Sequence, residues 1–282
     1  MVTDREDLSG DRTAFGLKVD YPNDLWDCYV NFRHVGDGFD PSLGFVPRRA
    51  INSYQAGLTY APPPKGTFIR QMFHEFYPSL TTDLEGRWES WRVFMAPVNW
   101  RLESGERFEL NWAPAGERLA EPFEIADGVV VPPGTYDWNR YRIELETAAK
   151  RRLSGEATWW FGSFYSGTLD QVQLKAAWTP SPLVTILLSA ERDVGRLEEG
   201  DFDLTIVGTK LRLNLSPDLQ LNSFLQYDSE DHTFGTNTRL RWTFHPRGDL
   251  FVVYNHNLRE LADRWRRDSN ELLVKVQYTL RR

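Results

Sequence analysis

The sequence predicts an all-β protein, an antiparallel up-and-down transmembrane β-barrel of about 14–16 strands. Three observations lead there. First, side-chain character alternates with period two: in residues 232–245, Phe234, Thr236, Thr238, Leu240, Trp242 and Phe244 point one way, and Gly235, Asn237, Arg239, Arg241 and Thr243 the other. Second, the alternating segments run to about 9–13 residues, near the 9–11 that a membrane strand needs and longer than the average soluble strand of about 5–6. Third, the apolar faces mix Thr, Ala, Gly and Ser with large residues, while the opposite faces carry both charge signs. A soluble sandwich or open sheet with its apolar face in a core is the competing architecture, and pattern alone does not separate inside from outside.

The elements follow in order. Residues 12–20 set Phe15, Leu17 and Val19 against Arg12, Lys18 and Asp20, and Tyr21-Pro-Asn-Asp24 turns the chain into a strand at 25–34. Residues 35–50 are rich in Gly and Pro and read as a loop. Strand 51–60 runs into Pro62-Pro-Pro-Lys-Gly66, a turn because proline donates nothing to a ladder. Strands near 67–77 and 83–95 have an alternation blurred by Arg70, His74 and Arg92. Residues 98–112 form a hairpin about Glu103-Ser-Gly-Glu106. Residues 113–137, broken by Pro114, Pro122, Pro132 and Pro133, read as a long ordered loop, a kind of segment that often carries function. Strands then fall near 138–149, 155–165, 168–178, 183–191, 201–215, 218–228, 232–245, 249–257 and 270–280. Longer charged connections are expected at 192–200 and 258–269, giving the alternation of tight and long loops of an outer-membrane barrel. The one helical candidate is 258–267, with a solvated loop as its alternative. The whole reads as one domain over 1–282.

Composition bounds the rest. Net charge is −7, which argues against nucleic acid, since phosphate binding needs a basic face. No apolar run approaches the roughly 20 residues of a membrane helix. Negative mean hydropathy does not exclude a membrane barrel, because half of each strand faces a polar lumen. The 11 Trp, 11 Tyr and 17 Phe fit either a β-core or aromatic girdles. Cys28, the only cysteine, rules out a disulfide within the chain and any cysteine-based metal site; it lies in phase with Trp26, Val30 and Phe32. The opening Met1-Val-Thr-Asp-Arg-Glu-Asp has no apolar core of a secretory signal, so the expectation is a mature form or a fragment, with the barrel shortened at its N-terminus.

The charged phase marks candidate lumen-lining residues. In 138–149, Arg140, Arg142, Glu144 and Glu146 share one face, and Tyr141, Ile143, Leu145 and Thr147 the other. An arginine at the lipid midplane costs about 2–4 kcal/mol, so this face must meet water, and a one-residue slip would place all four charges wrongly. Gln171, Gln173 and Lys175, and then Arg239 and Arg241, complete the expected lining. With both signs present, no strong ion selectivity is expected. The histidines at 34, 74, 232, 245 and 256 are scattered, His74-Glu75 lacks a second histidine at helical spacing, and no nucleophile elbow, phosphate loop or dinucleotide fingerprint occurs. No catalytic residue, metal, cofactor or nucleotide site is therefore expected. Arg264-Trp-Arg-Arg267 reads as a basic surface loop balanced by Glu260, Asp263 and Asp268, with contact to anionic headgroups or glycan as its alternative.

Several blocks in sequence order are similar to a known family. Asp40-Pro-Ser-Leu-Gly-Phe-Val-Pro-Arg48, Pro122-Phe-Glu-Ile125 with Val131-Pro-Pro-Gly-Thr-Tyr136, Gly162-Ser-Phe-Tyr-Ser-Gly167, Ser223-Phe-Leu-Gln-Tyr227, Asn237-Thr-Arg-Leu-Arg-Trp242 and Asp249-Leu-Phe-Val-Val-Tyr-Asn255 resemble the C-terminal DUF5916 domain. In bacterial envelope proteins that domain follows a carbohydrate-binding-module-9-like domain. The resemblance covers nearly the whole chain. It implies an outer-membrane β-barrel of undefined activity, channel-like or a surface scaffold, in contact with outer-membrane lipid, and it brings no catalytic residues. The chain departs from the family pattern in its missing front end and in Tyr278-Thr-Leu-Arg-Arg282, which lacks a terminal aromatic. The alternative is an envelope component that binds or processes carbohydrate, with glycans met by Trp112, Tyr136 and Trp138; its motivation is analogy with the neighbouring module.

Overall fold

The structure is a computed structural model that describes residues 9–41, 44–64, 66, 68–262 and 264–280. The opening eight residues, Ser42 and Leu43 of the first family block, Lys65 of the proline-rich turn, Thr67, Asp263 and the final two arginines lie outside the described residues. The strands are β1 (Ala14–Tyr21), β2 (Trp26–Val35), β3 (Ile51–Tyr60), β4 (Ile69–Asp83), β5 (Trp88–Leu102), β6 (Arg107–Leu119), β7 (Phe123–Ala126), β8 (Val129–Val131), β9 (Gly134–Glu146), β10 (Leu153–Phe164), β11 (Gly167–Ser181), β12 (Val184–Leu197), β13 (Gly200–Ser216), β14 (Leu219–Asp228), β15 (Thr233–His245), β16 (Gly248–Glu260) and β17 (Trp265–Tyr278). All but β7 and β8 join one 15-stranded sheet in sequence order. The all-β, antiparallel, neighbour-to-neighbour architecture is therefore as the sequence predicts. Closure is not: among the described residues no ladder joins β1 to β17, so the sheet keeps two edges.

Four local expectations need correction. The stretch 113–137 is not a loop: β6 continues to Leu119, a small β7–β8 hairpin follows, and β9 begins at Gly134. Pro114 and Gly116 lie within β6, whereas Pro122, Gly128, Pro132 and Pro133 fall between the strands, and Val129 and Val131 are buried. The helical candidate 258–267 and the connection 192–200 are both hairpins, turning at 261–264 and 198–199. Leu258 faces Arg267 and Glu260 faces Trp265 across β16–β17, so Arg264-Trp-Arg-Arg267 runs from a turn into a strand. The break expected between 77 and 83 is absent, because β4 accommodates Pro78 internally. Pro78 is opposite Val93 of β5, while on the β3 side the paired positions jump from Gln55–Ser79 to Leu58–Phe76. The missing donor is thus absorbed by a gap on one side. Pro97 lies where the β5–β6 register shifts between Met95 and Val98, a bulge that lets β5 run on unbroken.

The chain divides into two compact units. One holds the chain to Ile143, with Trp160–Leu169 and Arg196–Asp201; the other holds Glu144–Trp159, Asp170–Gly195 and Phe202–Arg282. In the first, Leu17 faces Phe32 and Val19 faces Val30, while Lys18 faces Asn31. Cys28 sits opposite Leu58, within the apolar phase. In the second, Leu221 faces Leu240 and Asn222 faces Arg239, and the phase passes on through β16 to β17. Each unit therefore has one apolar and one polar sheet face. In the first unit Val35, Phe39 and Ile51 form a small buried apolar cluster, packed with Ala14 and Val46, where β2 and β3 are joined.

Candidate functional site

The polar faces hold the candidate site, and in β9 charged side chains are buried while their apolar neighbours are exposed. In β9, Arg140 is 7% exposed, whereas the intervening Tyr141 is 42% exposed. Farther along the same strand, in the second unit, Glu144 is 7% exposed and Leu145 52%.

In the first unit the polar face is a bonded network centred on Glu109, which is 1% exposed. Arg142 and Arg107 both donate to its carboxylate, and Asn111 Nδ2 donates to Oε1 at 2.7 Å. Arg142 Nε also donates to Asn111 Oδ1, and its guanidinium lies over the rings of Trp160 and Phe94 at 5.2 and 5.8 Å. Asn99, opposite Glu109 in the β5–β6 ladder, links Arg107 to Glu75 of β4. Arg140 donates to the backbone carbonyl of Leu169. A buried carboxylate between two arginines is stable only while all partners remain, since each charge has been taken from water.

In the second unit, Gln171 donates to Asp193, Gln173 to Glu191, and Lys175 Nζ to Glu156 Oε1, at 2.9–3.0 Å. Glu146, Glu156 and Lys175 line a common hollow with Lys210 and Phe224. Arg241 is tied to Asp249 at 3.0 Å, and Arg239 lies over the Phe251 ring at 4.8 Å. All nine sequence-predicted positions thus fall in polar sheet phases. Glu75, Asn99, Arg107, Glu109 and Asn111 were missed, although Arg107-x-Glu109-x-Asn111 against Phe108, Leu110 and Trp112 is an alternation visible in the sequence.

The aromatic residues considered for glycan contact do not form one platform. Trp112 lies in the apolar phase, with Nε1 donating to Asn139 Oδ1 at 2.9 Å. Tyr136 and Trp138 take the other phase of β9, where both pack against Tyr165. Tyr165 turns β10 into β11 with φ of 45°, and its hydroxyl donates to Glu117 at 2.7 Å. Burial and that acidic neighbour raise its pKa. Left-handed backbone at a tyrosine costs roughly 1–2 kcal/mol, which the ring packing and this bond offset.

Among the described residues no group of three or more metal-ligating side chains occurs, and no helix is long and apolar enough to cross a membrane. No protein-family model matches the chain, and no curated protein is significantly similar to it.

Proposed function

We propose that the chain is an outer-membrane β-barrel protein of the DUF5916 type, a non-catalytic, channel-like component of a bacterial envelope. The observation that carries this reading is the inverted burial in the strands around β9: Glu109, Arg140 and Glu144 are buried while Tyr141, Leu145, Leu174, Trp178 and Leu188 are exposed. In water so much exposed apolar surface promotes association; against acyl chains it is the stable arrangement, and the polar faces then border an aqueous lumen. The reading requires both sheet edges to be paired in the membrane, because lipid offers nothing to an unpaired backbone group. A surface scaffold uses the same fold without a conducting path. A glycan-binding component ranks behind both, since Trp112 and the Tyr136–Trp138 pair occupy opposite phases.

Nitroxide labels on the protein in liposomes test it. Labels at Leu174 and Val276 should meet oxygen dissolved in the bilayer, and labels at Gln173 and Gln277 a water-soluble relaxant. A monodisperse protein in detergent-free buffer, or labels at 174 and 276 with the accessibility of those at 173 and 277, would overturn the membrane assignment.

A further inference from the structure

The register of β13–β17 gathers cations that the rest of the polar face does not neutralise. Arg212 faces Asn222, and Asn222 faces Arg239, in one row across three strands. The adjacent row sets Asn214 against Gln220 and Gln220 against Arg241. Lys210 lies two residues from Arg212 on the same face. Neighbouring strands lie about 4.8 Å apart, so Arg212 and Arg239 stand roughly 10 Å apart with Asn222 between them, a gap their long arms can close. Among the described residues neither Lys210 nor Arg212 has an acidic partner, and Arg239 has only the Phe251 ring beneath it. The nearby acids are engaged: Asp249 accepts from Arg241 and Thr243, and Glu271 from Asn255. Beside the row lies a hollow of ≈ 580 Å³ lined by Gln226, Asn237, Asn255 and Glu271; the arginines stand outside its wall, so the strip is an open surface and not this hollow. The chain as a whole carries −7, so this is a local reversal of sign.

We propose that Arg212, Arg239 and Arg241, with Asn222 between the first two, form a binding strip for a small oxyanion, a solute bearing phosphate or carboxylate. Guanidinium forks match such oxygens in pairs, and the flanking amides donate to those left over. Arg212 and Arg239 are exposed to water and need no neutralising partner to fold, which leaves them available to a ligand; Arg241, tied to Asp249 at 3.0 Å, would have to share its guanidinium between that carboxylate and the bound anion. The strip stands on the pairing of β13–β17 and not on the membrane assignment.

Equilibrium dialysis of the full chain in detergent, with inorganic phosphate as probe and ionic strength held constant with sodium chloride, tests it. Saturable binding is expected, weakened at least tenfold by the double variant R212Q/R239Q and unchanged by Arg192→Gln, which removes a charge from the other face. Acetate competing with phosphate would identify a general oxyanion strip, and its failure to compete a phosphate-specific one; both support the proposal. No saturable binding, displacement by chloride at equal ionic strength, or equal affinity in R212Q/R239Q with its thermal transition intact would overturn it. Loss of phosphate binding in a protein that still inserts into liposomes would sink the strip alone; binding by a protein that does not insert would sink only the membrane assignment.

Discussion

Glu109 illustrates how unequal two ion pairs can be. Arg107 and Arg142 both donate to it, so Glu109→Ala removes the buried anion at the centre of the network, at an expected cost of about 3–5 kcal/mol. Arg192→Ala removes a partner of Asp203 from a solvent-exposed pair and should cost under about 1 kcal/mol. Denaturant midpoints of the two variants check the contrast; similar shifts would mean that the Glu109 network is wet. A second residue-level case is Asp11. Its Oδ1 accepts from Thr13 N and Oγ1 at 2.9 and 2.7 Å, and its Oδ2 meets His34 Nε2 at 2.8 Å. The Thr13 bonds, with help from His34, hold its carboxyl below the usual range. A carboxyl lowered in the folded state stabilises above its unfolded pKa and loses that contribution as pH falls through the folded value. Acidification below the ordinary carboxylate range should therefore loosen the clasp in which Gly36 N bonds Thr13 O and Gly38 N bonds Asp11 O. Amide exchange at Gly36 and Gly38 reports it, and Asp11→Asn should abolish the acid-triggered step.

At the scale of the element, β17 is exposed along its whole length. Thr279 N bonds Arg247 O, just beyond the β16–β17 ladder, so from Ser269 to Tyr278, past the bulge near the start of β17, the odd-numbered donors point to β16 and the even-numbered ones away. Leu273→Pro should break that ladder and cost about 3 kcal/mol or more, whereas Val274→Pro, whose lost donor points outward, should be far milder in detergent. Equal damage by thermal melt would mean that the outer edge is already paired. Strand phases of this kind were legible in the sequence because period two survives wherever the ladder is regular, as in β13–β17. They were blurred in β4 because the β4–β5 register shifts between Ile69 and Gln71 and between Phe73 and Glu75, moving Arg70 and His74 out of phase. The Glu109 network went unseen for a related reason. Its partners come from four strands, and the bulge near Pro97 hides how β5 aligns with β6. The β7–β8 hairpin was invisible because strands of four and three residues are too short to show a period.

For the molecule as a whole, edge pairing becomes a requirement once lipid is the solvent. Val274→Pro should then reduce the yield of the inserted, heat-modifiable form in liposomes even where detergent stability is kept. Normal insertion would show that this edge meets protein or water. The order of the sheet carries one more consequence. Between β10 and β14 every connection is two residues, at 165–166, 182–183, 198–199 and 217–218, and each strand bonds only its neighbours in the sequence. Within that stretch no strand waits for a distant segment: one hairpin can template the next, so growth can proceed strand by strand, with little loop-closure entropy to overcome at each addition.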